Sequence, residues 1–199
     1  MNKLQCRQKI LDASRQLFTT QGYDSTTIEE IADAAEISKA TLYNYFSSKE
    51  SLLLGIADAV LEECRRIILV DMKDESSSVA KLRRVIGILV LDSSRHLSIA
   101  RRILYLSACK GTELNRSRQN LFRILDHLVR EGQGSGELRR DLESKTITEA
   151  FFGLYLLTQM GWDEILSWTE AECLVRVNGC IDLALSGLMA RSPEEPPII

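Results

Sequence analysis

Between Ser38 and Glu50 the chain reads SKATLYNYFSSKE, with three aromatic residues in four positions and a lysine just inside each end. The side chains in and around this stretch offer the chemistry of a duplex-DNA contact. Lys39 can reach guanine or phosphate, Thr41 can bond a base or touch a thymine methyl, and small Ala40 allows close approach to base edges. Tyr43 and Tyr45 combine a packing ring with a hydroxyl able to bond phosphate. Core packing accounts for the two tyrosines equally well. Thr27 and Lys49 stand where helices begin, and the free backbone N–H groups there favour anions.

Such residues work only if short helices hold them. Thr27-Ile28-Glu29-Glu30 is a capping box, threonine at the N-cap and glutamate three residues on, and it opens a short helix through Ala34. Glu36-Ile37 makes a turn, and Ser38 caps a second short helix ending at Phe46. Two short helices joined this tightly have the dimensions of a helix-turn-helix. Leu42 and Phe46, four apart, share one face and can pack on Ile28, Ile31 and Leu17. That leaves Lys39, Ala40, Thr41 and Asn44 facing outward. A leading helix over Lys3–Thr20 precedes the pair, with Gly22 suited to its C-cap. Ser47-Ser48-Lys49-Glu50 reads as another capping box, launching a helix from Leu52 to about Val70.

The remaining sequence predicts helices near 79–94, 98–108, 114–130, 145–160 and 171–190. DMKDESSS and EGQGSGELRRD read as loops, the second on its three glycines in five residues. Pro193, Pro196 and Pro197 are the chain's three prolines, so nothing before Ser192 carries the strongest helix breaker. The expected fold class is all-α, with a disordered tail over 192–199. Between Ala150 and Gly161 there is no charge, and an all-round apolar helix must be covered on every side. The last two helices could meet their copies from a second chain in a four-helix bundle, or form the core of a monomer.

Composition narrows the function. Two histidines without ligand spacing argue against a zinc site, and five cysteines without a CxxC pair read as reduced thiols, with redox sensing or ligand lining as the alternative. No nucleophile–base pair, metal spacing or phosphate loop is visible, so no catalytic residue, metal or cofactor is expected and the chain does not read as an enzyme. No apolar segment follows Met1, and Ala150–Trp162 falls short of the about 20 residues a bilayer needs, so the expectation is a cytoplasmic protein with no membrane partner. The net charge of −3 suits a DNA binder only through its distribution: Lys3, Arg7, Lys9 and Arg15 oppose Asp12 alone in the first 20 residues.

TTIEEIADAAEISKATLYNYFSSKESLLLGIAD resembles the DNA-binding signature of TetR-family transcriptional regulators, over about residues 6–58. GELRRDL and the helix holding Phe152-Gly153 look, more weakly, like the family's regulatory and dimerisation domain. The resemblance implies a DNA-binding domain over 1–48 and a helical regulatory and dimerisation domain over 49–191. It carries over Thr27, Ser38, Lys39, Thr41, Tyr43, Asn44, Tyr45 and Lys49 as DNA contacts. Lys39, Thr41 and Asn44 would read bases; Thr27, Tyr43, Tyr45 and Lys49 would hold phosphates; Ser38 would mainly cap. Glu36 departs from the pattern, standing where the family commonly has glycine. The implied function is a homodimeric repressor, paired through its last two helices, released from a palindromic operator by a small-molecule effector. A pocket for that effector would lie among the middle helices, with Tyr105, Cys109, Phe122, Phe152, Tyr155, Gln159 and Trp162 as walls, although plain core is the better reading of each taken singly. The alternatives are a DNA-binding dimer without a ligand, and an all-helical small-molecule-binding protein whose N-terminal motif is only structural.

Overall fold

The computed structural model of the chain describes residues 2–160 and 167–188. Trp162 and the 192–199 tail lie outside them. Every regular element among the described residues is a helix: α1 Lys3–Thr20, α2 Ile28–Ala34, α3 Lys39–Tyr45, α4 Lys49–Arg66, α5 Ser78–Arg95, α6 Leu97–Ser107, α7 Glu113–Ser135, α8 Ser144–Met160 and α9 Glu170–Leu188. A π-helical turn, Ile67–Asp71, continues α4.

Side-chain caps set the starts of these helices. Asn2 accepts from Gln5 N while Gln5 bonds back to the Asn2 backbone. Thr27 and Glu30 exchange the same pair of bonds at α2. Ser38 accepts from Thr41 N at α3. The start of α4 differs from the sequence expectation. Its box pairs Ser48 with Ser51, whose backbone N–H groups and hydroxyls bond reciprocally at 3.1 and 3.2 Å, rather than Ser47 with Glu50. A serine at N3 can do glutamate's work when its hydroxyl turns back to the cap.

The chain forms two compact units, Met1–Glu62 with Arg95–Gln119, and Glu63–Ser94 with Asn120–Ile199. The first therefore takes in more chain than residues 1–48. The reason lies in its core, where Ile99 of α6 and Leu114 of α7 join Ile10, Phe18, Ile31, Leu42 and Phe46. Gly55 of α4 lies in this core, and a Cβ there would sit 2.7 Å from Phe46 Cε1 and 2.9 Å from Leu11 Cδ2.

In the second unit α7 runs five residues past Arg130, through two of the three glycines read as a loop, and stops before Gly136 at φ 85°. Leu138 folds back over the helix, its Cδ1 3.0 Å from where a Gly132 Cβ would stand. Glycine serves here as a groove for a leucine rather than as a breaker. Phe151 of α8 and Cys173, Val177, Ile181 and Leu185 of α9 are buried in this unit.

Candidate nucleic-acid interface

The turn from α2 to α3 closes as a Schellman motif: Ile37 N–H donates to Ala32 O and Glu36 N–H to Asp33 O, both at 3.0 Å. The motif needs a left-handed residue at Glu36, whose φ is 55°. Lys9 Nζ of α1 lies 2.8 Å from Glu36 Oε2 and so braces the turn from outside.

The burial of α3 divides as the spacing predicts. Leu42 is fully buried and Phe46 nearly so, in one cluster with Ile31 and with half-buried Ile28 and Leu17. Lys39, Ala40 and Asn44 are exposed, Thr41 is half-buried, and Tyr43 keeps 45% of its surface in solvent. Lys39 is ion-paired with Glu29 of α2 and its ammonium lies 5.9 Å from the Tyr43 ring centre. The hydrogen bond from Lys39 holds the Glu29 carboxyl below its ordinary range and raises the Lys39 ammonium. An exposed pair of this kind exchanges easily for a phosphate or a base edge.

The other expected contacts are already engaged. Thr27 Oγ1 donates to Glu30 Oε2 at 2.8 Å and accepts from Glu30 N at 3.2 Å. Ser38 Oγ is 2.8 Å from Thr41 Oγ1. Tyr45 is half-buried against the core, where the neighbouring Cys6 of α1 raises its phenol. Lys49 Nζ donates to Tyr23 O, Asp24 O and Thr26 O at 2.7, 3.2 and 2.9 Å and lies 4.6 Å from the Tyr23 ring centre. Three backbone carbonyls absorb the three protons of its ammonium.

Three of the four basic residues of α1 are likewise partnered. Arg7 lies over the Phe46 ring at 5.4 Å, Lys9 holds Glu36, and Arg15 Nη2 donates to Ile56 O at 3.4 Å.

The expected pocket residues fall in different places. Phe122, Phe152 and Tyr155 form a chain of ring contacts with centroids 6.2 and 6.0 Å apart. Burial, above all, raises the Tyr155 phenol, and Gln159 Nε2 donates to Ser93 Oγ at 3.5 Å. Gln159 itself is buried. Tyr105 and Cys109 belong to the first unit and are exposed, Tyr105 to 71%. Cys109 lines a cavity of about 360 Å³ with Ser51, Leu54, Leu106 and Leu114. A second cavity, of about 250 Å³, lies beside the π-helical turn and is lined by Arg65, Leu69, Arg123 and His127 among others. Among the described residues no cluster of three or more His, Cys, Asp or Glu could hold a metal ion. No described helix is long and apolar enough to cross a membrane.

On the second unit an apolar face is left uncovered. Ala150, Gly153 and Leu157 of α8 are exposed, as are Val175, Gly179 and Leu183 of α9, Val175 to 74% and Leu183 to 77%. α9 thus carries one apolar face turned into its own unit and another turned out.

A capped seven-residue helix seated on another through a Schellman turn, offering lysine, threonine and asparagine outward, defines a helix-turn-helix transcription regulator. Residues 10–56 match the family model for bacterial regulatory proteins of the tetR family. The chain is 24% identical over 191 residues to the fatty acid metabolism regulator protein of Bacillus subtilis (strain 168), covering 90% of this chain and 94% of that one. Its fold resembles that of FadR from Bacillus subtilis, solved in complex with stearoyl-CoA, with a TM-score of 0.73 at 23% identity over 90% of this chain and 98% of the other. It also resembles Thermus thermophilus FadR, described as a TetR-family transcriptional repressor in complex with lauroyl-CoA, with a TM-score of 0.62 at 23% identity over 96% and 99% of the two chains.

Proposed function

We propose that the protein is a cytoplasmic, non-enzymatic repressor that binds a palindromic operator as a homodimer and is released by an acyl thioester of coenzyme A. The observation that carries DNA recognition is the split of α3, with Leu42 and, at its end, Phe46 buried, Lys39, Ala40, Tyr43 and Asn44 exposed, and Thr41 half-buried between the two faces. Lys39, Thr41 and Asn44 read base edges, Ala40 lets the helix approach them, and Thr27 and Tyr43 meet phosphates. Ser38 caps α3. Lys49 acts through the scaffold, because the Tyr23–Thr26 carbonyls occupy its ammonium, and Tyr45 does so through a ring half-buried against the core.

The uncovered face of α8 and α9 is the dimer surface. Pairing there gives the two-fold symmetry that a palindrome requires. Residues 1–48 carry DNA recognition, and 49–191 carry regulation and dimerisation. The effector class is supported by the stearoyl-CoA and lauroyl-CoA complexes of the two FadR structures. Phe122, Phe152, Tyr155 and Gln159 offer an acyl chain an aromatic wall with a polar end. Release needs a coupling of only ~1–3 kcal/mol between effector and operator. The test is a gel shift on duplexes that the protein selects from a random library, titrated with stearoyl-CoA, lauroyl-CoA and free coenzyme A. Release by either thioester and not by free coenzyme A is expected; no release by either thioester leaves a DNA-binding dimer of another effector class or none.

A further inference from the structure

Helices α2 and α3 have seven residues each, too short to persist alone. Their placement therefore depends on what holds their ends. The end that enters α2 is the turn Gly22–Thr26, which a left-handed Gly22, φ 90°, begins. Thr26, buried at its far end, folds back on Gly22 through a 2.8 Å bond from Oγ1 to the carbonyl.

Two cations from two other helices grip this turn. Lys49 of α4 takes its carbonyls. Arg102 of α6 takes its side chains: Arg102 Nη2 is 3.0 Å from Asp24 Oδ1, and Arg102 Cζ lies 4.8 Å from the centre of the Tyr23 ring. The same ring lies under Lys49 at 4.6 Å and packs on Phe18 of α1 with centroids 5.1 Å apart. Tyr23 is thus one plate shared by α1, α4 and α6. Burial first, and then the neighbouring Glu50 carboxylate, push its phenol up to about 12, so the ring stays neutral wherever the protein folds. The start of α6 meets α1 a second time, where Thr19 Oγ1 lies 3.0 Å from His96 Nδ1.

Resting on the DNA-binding reading above, we propose that Arg102 is a positioning residue for operator recognition. Through Tyr23 and Asp24 it fixes the turn from which α2 starts, and through α2 the seat of α3. Neither α6 nor the turn needs to touch a base for this. Base-edge contacts require placement to about 0.5 Å, whereas contact with phosphates at large tolerates a looser scaffold. The signature of a positioning residue is therefore a loss of specific binding that spares non-specific binding.

The experiment uses the full chain, a duplex selected by the unaltered protein from a random library, and a scrambled duplex of equal length. For Arg102→Gln the affinity for the selected duplex falls roughly tenfold, while affinity for the scrambled duplex and the Tm are nearly unchanged. Arg102→Lys, which keeps a cation over the ring, recovers most of the loss. Tyr23→Leu weakens the selected duplex as Arg102→Gln does, and the double variant is no worse than the worse single one, because both act through the same plate. An equal loss on both duplexes, unchanged binding in Arg102→Gln, or additive losses in the double variant overturns the proposal. If the unaltered protein enriches no duplex at all, the DNA-binding reading itself has failed.

Discussion

Lys9 and Glu36 meet at 2.8 Å across the helix-turn-helix, and Glu36 is the one described non-glycine residue with a left-handed backbone, at φ 55°. The ion pair and the strain belong to the same residue and oppose each other. Half of the Lys9 side chain and most of that of Glu36 are in solvent, so the pair stabilises the turn little and salt screens it. The backbone penalty is not screened. Glu36→Gly is therefore expected to raise the Tm by a few degrees, and by more at high salt than at low, as read by circular dichroism. A lower Tm at both salt concentrations would show that the pair outweighs the strain.

Gly55 predicts the reverse. Alanine is the better helix former, yet its Cβ would stand 2.7 Å from the Phe46 ring and 2.9 Å from Leu11. Gly55→Ala should cost about 1–3 kcal/mol in denaturant unfolding and weaken DNA binding, since Phe46 anchors the end of α3. Gly134→Ala, in open space near the end of α7, should instead gain up to about 1 kcal/mol.

Acid should loosen α2. The Glu30 carboxylate accepts from Thr27 N at 2.7 Å and Thr27 Oγ1 at 2.8 Å, bonds that hold its pKa below the ordinary 4.5. A lowered folded pKa gives stability that is complete above the unfolded value and lost as pH falls through the folded one. The Tm gap between the native protein and Glu30→Gln should thus be full at neutral pH and close below about pH 4.5. A gap independent of pH would mean that the carboxylate charge does not support the cap.

Lys49 separates two roles that sequence alone cannot. A phosphate contact contributes about one unit to the salt dependence of binding; a lysine spent on three carbonyls contributes none. Lys49→Met should weaken the selected duplex with an unchanged slope of log affinity against log salt. A slope smaller by about one unit would return Lys49 to the phosphate.

What the sequence made legible was local. The boundaries of α1, the Thr27–Glu30 box, the Ser38 cap and the burial of Leu42 and Phe46 rest on residues three or four apart, and spacing reports such contacts directly. What it hid was long-range. Lys49 meets carbonyls 23 to 26 residues away. Ile99 and Leu114 join a core built mostly before residue 57. Leu138 makes a helical groove of Gly132, and the same glycines suggest a loop when Leu138 is not in view. Residue type alone does not tell that Tyr105 and Cys109 belong to the first unit, Tyr105 exposed and Cys109 lining a cavity there with Leu54 and Leu114.

The central claim, that the outward face of α3 reads DNA, is tested most directly by selecting duplexes from a random library and measuring their binding to the native protein, Thr41→Ala and Tyr43→Ala. The expected result is an enriched palindrome bound by the native protein, lost on either substitution, with dimer mass and Tm preserved. Enrichment of no sequence, or variants that unfold instead of releasing DNA, would contradict it.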